Sequence, residues 1–300
     1  MHLKRLKQKQ KNPNYSFSFE AIGTHWVIDI HEQIPYAKRK KIKEKIFSRI
    51  ESFDQVYSRF REDSLITRIS QKAGTYVFPE DSLLLFLLYQ KLYILTSGLV
   101  TPLVGSLLAE AGYDKNYSLV PQSFNKPPTW EESIEFLFPE LLVKKPVLLD
   151  FGAAGKGYLI DIIGELLEKE GFRLFCIDAG GDIKTSGYPM RVGLEHPADS
   201  TQVVGEVLLE RGSICGSAGN RRKWNDLHHI FNPETLTPVK EIIAVWVTAP
   251  TALVADGLST ALFFIEPERL LSAGFQFEYF LIHEDFSYEK SENFPGIVYA

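Results

Sequence analysis

Apolar residues recur at spacings of three and four through residues 37–56, where Ile42, Ile46, Ile50, Phe53 and Val56 fall on one stripe. That spacing predicts an amphipathic helix, and the Lys/Arg-rich start predicts a solvated face. Before it, Phe17, Phe19 and Ala21 alternate with polar positions and predict a first strand over residues 16–31, kinked at Gly23-Thr24. Residues 82–97 predict a second helix, with Ser82 as cap and Gly98 as stop. Residues 115–128 are polar, hold three prolines, and read as a surface loop. Residues 129–137 predict a short helix capped by Thr129, with Glu132 as its box partner.

Further on, residues 147–150 predict a short buried strand and residues 173–178 the next one. Between them, residues 156–170 predict a helix with Leu159, Ile162, Ile163, Leu166 and Leu167 on one face. Strong strand patterns cover residues 203–209 and 242–248, a helix-like pattern covers 252–264, and a last pair of strands covers 277–283 and the neighbourhood of 297–299. Strands and helices alternate without regular βαβ spacing, so the expected fold class is α+β with mixed sheets.

Composition narrows the function classes. The chain has 300 residues, 45% hydrophobic and 24% charged, which is ample for one large domain or two intimately joined lobes. The expected division is a disordered basic tail over residues 1–15 and a single domain over residues 16–300. A net charge of −5 argues against bulk nucleic-acid binding. Cys176 and Cys215 sit in apolar contexts and are expected to be buried, reduced thiols rather than a disulfide or zinc set. The basic start is followed by no apolar stretch, and the longest apolar run, residues 83–89, is far short of a bilayer span. A cytoplasmic protein without an integral membrane segment is therefore expected.

Four segments carry candidate chemistry. In Asp150-Phe151-Gly152-Ala153-Ala154-Gly155-Lys156-Gly157, a strand ends in a carboxylate and a helix opens with a lysine after small residues. Free amides and the positive end of the helix dipole suit phosphate there. Asp150 and Gly157 stand where a P-loop needs Gly and Ser/Thr, so it is not that motif. Asp178-Ala179-Gly180-Gly181-Asp182 is a turn that could pack closely on a nucleotide. The third segment, Gly216-Ser217-Ala218-Gly219-Asn220-Arg221-Arg222 with His228-His229-Ile230-Phe231-Asn232-Pro233, joins small residues to a basic pair and histidines. In Ala255-Asp256-Gly257-Leu258-Ser259-Thr260, Asp256 and Thr260 share a helix face one turn apart, as hard oxygen ligands of the kind magnesium prefers.

Taken together and in this order, these segments resemble the FAD:protein FMN transferase (ApbE-type) family. Ile22-Gly23-Thr24, Tyr57-Ser58-Arg59-Phe60 with Asp63-Ser64, and Ala111-Gly112-Tyr113-Asp114 add to the likeness, which runs from about residue 20 to 265. The resemblance implies an ApbE-like mixed-sheet fold with two joined lobes around a flavin site. It implies Mg²⁺-dependent attack by a threonine of an acceptor flavoprotein on FAD, attaching FMN through a phosphoester and releasing AMP. It places FAD against Ile22, Phe60, Leu99, Val100, Thr101, Asp150, Lys156 and Ile230. It gives Mg²⁺ the Ala153 carbonyl, Asp256 and Thr260, with Ser259 beside them. His229 is the expected general base, and Asp150 the other candidate. The family usually has Met at Ile22, Tyr at Phe60, an aromatic-Asp pair at Val100-Thr101 and Thr-Ser at Ser217-Ala218. Two other readings stand beside transfer: a Mg²⁺-dependent FAD pyrophosphatase and a non-enzymatic flavin-binding protein.

Overall fold

The run Ile242–Ala249 is apolar at nearly every position because both faces of its strand are covered. Val245 and Val247 enter a core under helices, while Ala244 and Trp246 enter a second core on the opposite face. The computed structural model describes residues 3–5, 12–220 and 223–299. Its central sheet has eight strands, ordered in space Tyr288–Lys290, Glu278–His283, Ile242–Ala249, Gly212–Ala218, Asp182–Ser186, Phe175–Ala179, Thr24–Ile30 and Tyr15–Ala21. A second sheet of Leu3–Arg5, Met190–Glu195, Val203–Leu209 and Gly296–Val298 covers one face. Val192, Leu194, Val207 and Leu209 fill the space between the sheets. The α+β class is the one observed, and all strand pairs among the described residues are antiparallel.

Helices cover the other face. They are α1 (Tyr36–Tyr57), α2 (Leu65–Gln71), α3 (Leu83–Leu95), α4 (Gly105–Glu110), α5 (Trp130–Ser133), α6 (Gly155–Lys169), α7 (Ala252–Ala261) and α8 (Pro267–Ser272). The expected stripe of α1 is buried at Ile42, Ile46, Ile50 and Phe53, with Tyr57 replacing Val56 at its end. Among the described residues, no helix is long and apolar enough to cross a membrane. Neither Cys176 nor Cys215 forms a disulfide among the described residues, and both are buried.

Several local expectations change. Residues 16–31 form a hairpin, because Ile22 and Gly23 both take positive φ (42° and 73°) and close a two-residue turn. Thr129 does cap a helix, accepting the Glu132 amide at 3.3 Å, but that helix stops at Ser133. Ile134–Leu137 alternates in burial and pairs with Glu140–Val143 instead. The Glu132 carboxylate turns to Lys145 at 3.3 Å rather than completing the box. Ser82 makes no side-chain cap bond. Residues 147–150 pair with no strand, since the Asp150 amide donates to the Pro102 carbonyl at 2.7 Å. Of the expected basic tail, Leu3–Arg5 pairs with Met190–Glu195 and Tyr15 opens the hairpin. The rest of its basic residues, and Arg221-Arg222, lie outside the described residues.

Candidate functional site

The site begins where α6 crosses α7. A Cβ on Gly157 would stand 2.1 Å from the Ala252 carbonyl oxygen and 2.7 Å from the Asp256 Cβ, so only glycine permits this approach. The Gly157 amide uses the closeness to donate to Asp256 Oδ2 at 2.8 Å. Further along α6, Asp161 accepts the Ala252 and Leu253 amides at 3.0 and 2.8 Å and pairs with Lys184 at 2.7 Å. A carboxylate from one helix thus satisfies the first amides of the other, where the dipole favours negative charge. Thr251 caps the same turn through the Val254 amide. These bonds fix the register of α7, which leaves Asp256 5% exposed with Thr260 one turn on.

The segment leading into α6 is held as firmly. Asp150 Oδ1 accepts the Gly152 amide at 2.6 Å, and Oδ2 accepts from Arg59 Nε. The Arg59 guanidinium is buried and lies 4.2 Å from the Phe60 ring centre and 4.8 Å from that of Tyr113. Lys156 pairs with Asp182, whose other oxygen accepts the Gly216 amide at 3.2 Å. Burial depresses the Lys156 ammonium, but the Asp182 and Asp256 carboxylates outweigh it and hold its pKa above the ordinary lysine value. The helix start therefore carries a fixed cation. Burial pushes the Cys215 thiol up, which makes it inert as a nucleophile.

The two histidines divide their work. His228 is tied to the backbone: its Nε2 donates to the Val239 carbonyl at 2.9 Å, and its Nδ1 accepts the Ile230 amide at 3.2 Å. That pattern needs the neutral ring, and burial lowers the His228 pKa. His229 lines the cavity.

That cavity holds about 740 Å³ and gathers nearly all the expected residues. Its lining joins an apolar set, Ile22, Phe60, Leu99, Val100, Ala153 and Ile230, to a polar one, Thr101, Asp150, Lys156, His229, Asp256 and Thr260. Ser259 is the exception. It is fully buried, donates to the Asp256 carbonyl at 2.8 Å and bonds Ser217 Oγ at 2.8 Å, so it braces α7 behind the wall. Thr101 spends its hydroxyl on the Leu103 amide at 3.1 Å. The sequence reading missed Arg59, Asp161 and Tyr117, and left Asp182 without a partner. Arg59 lay inside a quoted segment and Asp161 on the helix predicted over residues 156–170, but nothing in the chain marks which acid meets which base.

Among the described residues, no group of three or more His, Cys, Asp or Glu side chains gathers as a metal cluster. A metal would rest on the Asp256 carboxylate with the Thr260 hydroxyl and the Ala153 carbonyl. That hard-oxygen set fits a cation that keeps waters and phosphates as its remaining ligands.

Lys156 at the start of α6 and the Asp256–Thr260 pair of α7 thus line one cavity, an arrangement suited to phosphate. The sequence model of the ApbE family matches residues 22–276, and the chain belongs to that family. A relative from Klebsiella pneumoniae (strain 342), named FAD:protein FMN transferase, is 25% identical over 280 residues, spanning 83% of this chain and 78% of its own. The ApbE protein of Thermotoga maritima has the same fold, with a TM-score of 0.80 at 24% identity over 93% of this chain and 97% of that one. The flavin transferase ApbE from Vibrio cholerae follows at 0.77 and 23%, covering 93% and 97%. The chain is a transferase.

Proposed function

We propose that the protein is a Mg²⁺-dependent FAD:protein FMN transferase whose acceptor is a threonine of a flavoprotein. The acceptor oxygen bonds to the FMN phosphorus, the bond from that phosphorus to the bridging oxygen breaks, and AMP leaves with the bridging oxygen. His229 accepts the threonine proton. Lys156 and the α6 start neutralise the diphosphate, and the Arg59–Asp150 pair fixes the loop against which it lies. Asp256, Thr260 and the Ala153 carbonyl hold Mg²⁺, which when bound supplies charge neutralisation at the phosphates. Ser259 positions α7 and is not a ligand.

One observation carries this reading: Asp150, Lys156, His229, Asp256 and Thr260 converge on a single cavity. The test is chromatography of nucleotides after incubation with FAD, with Mg²⁺ or EDTA, with and without an acceptor flavoprotein. AMP release that needs Mg²⁺, with FMN mass appearing on the acceptor threonine, is the expected result. AMP and free FMN in equal amounts without acceptor would make it a pyrophosphatase. FAD retained uncleaved under every condition would make it a binding protein.

A further inference from the structure

The geometry points to Tyr117 as a placeholder, whose ring occupies on the face of Phe60 the position that an aromatic ring of the bound dinucleotide takes. The inference rests on the flavin-dinucleotide reading above. The Tyr117 and Phe60 rings lie 5.3 Å apart and 8° from parallel, the offset stack a heterocycle would adopt on the same face. Tyr113 closes the side of the stack edge-on, at 5.5 Å and 71° to Tyr117. Tyr117 lines the cavity and reaches the hairpin turn, where a Cβ on Gly23 would lie 4.0 Å from its hydroxyl. Yet Tyr117 is 51% exposed, so most of what holds its ring is the stack itself.

The backbone on either side is pinned. Asp114 Oδ1 accepts the Asn116 and Ser118 amides at 2.8 and 3.0 Å, and the Leu119 amide donates to the Gly112 carbonyl at 2.9 Å. The side chain can therefore swing while the loop stays in place. Beneath the stack, the Arg59 guanidinium lies 4.2 Å from the Phe60 ring centre and is tied to Asp150 through Nε, so Phe60 keeps its support when Tyr117 leaves. Tyr117 swings outward, and the heterocycle stacks on Phe60 in its place.

A placeholder lowers apparent affinity by the fraction of time it is out of the way. Stopped-flow quenching of flavin fluorescence on FAD binding to the full chain measures this without turnover. Tyr117→Ala should bind FAD about two- to tenfold tighter, the worth of one stacked aromatic pair, and the gain should appear in the association rate. Tyr117→Phe, which keeps the stack, should match the wild type, and Phe60→Ala should bind more weakly. Weaker or unchanged binding by Tyr117→Ala, with the wild type binding FAD, would overturn the placeholder alone. Failure of the wild type to bind FAD would overturn the functional reading beneath it.

Discussion

The cavity has two walls built on different principles. The polar wall is a helix crossing locked by backbone-to-carboxylate bonds: Gly157 to Asp256, and Ala252 and Leu253 to Asp161. Asp256, at its centre, is 5% exposed. The aromatic rim holds instead by ring contacts and by residues in unusual backbone conformations. Ile22, Tyr117 and Leu119 line the cavity at φ of 42°, 51° and 54° without being glycine. Such positions persist only where neighbours hold them, and they gather at ligand clamps. On the proposed function, chemistry that depends on the placement of charge falls to the rigid wall, and recognition of a flat ring to the side that can adjust.

The largest expected effect breaks the polar wall chemically. Asp256→Asn keeps an oxygen for the Gly157 amide but removes the charge, and Mg²⁺-dependent AMP release should fall about a thousandfold, several kcal/mol of transition-state stabilisation. A rate within tenfold of wild type would place the reaction centre elsewhere. Next comes a steric break in the same wall. Gly157→Ala should destabilise the fold by about 1–3 kcal/mol in urea unfolding, since the new methyl meets backbone that cannot yield. Gly155→Ala, two residues earlier, meets its nearest atom at 3.5 Å and should change little. Equal effects at the two positions would mean that the crossing is looser than its bonds suggest.

The sequence reached this picture unevenly, and the reason is the range of the forces involved. The α1 stripe and the Val203–Leu209 strand were legible because periodicity is local. Asp150, Lys156, Asp256 and Thr260 were legible as motifs, each next to its own helix or turn. The Asp182 partner of Lys156 and the Asp161 cap of α7 were not, because both are contacts made only when distant segments meet. Ile134–Leu137 was read as helix because Thr129 is a true cap, while its strand partner lies beyond the turn at residues 138–139. The placing of Ser259 behind the wall follows from its bond to Ser217, which no local pattern reveals.

The smallest expected effect tests the rim. His228 bridges the Val239 carbonyl and the Ile230 amide only as a neutral ring, and burial lowers its folded pKa below the ordinary 6.5. The unfolded chain therefore takes up the proton first as pH falls. The stability that His228 contributes is whole above about pH 6.5 and is lost as pH falls toward the folded value. Urea midpoints at pH 7.5 and 5.5 should show a larger drop for the wild type than for His228→Gln, and a smaller change than Gly157→Ala produces at neutral pH. Protonation also removes the acceptor for the Ile230 amide, so the loosening falls on the segment that carries His229 and Ile230 into the cavity. Equal pH sensitivity in the two proteins would mean that ring packing alone holds the rim, which would deepen its contrast with the hydrogen-bonded wall opposite.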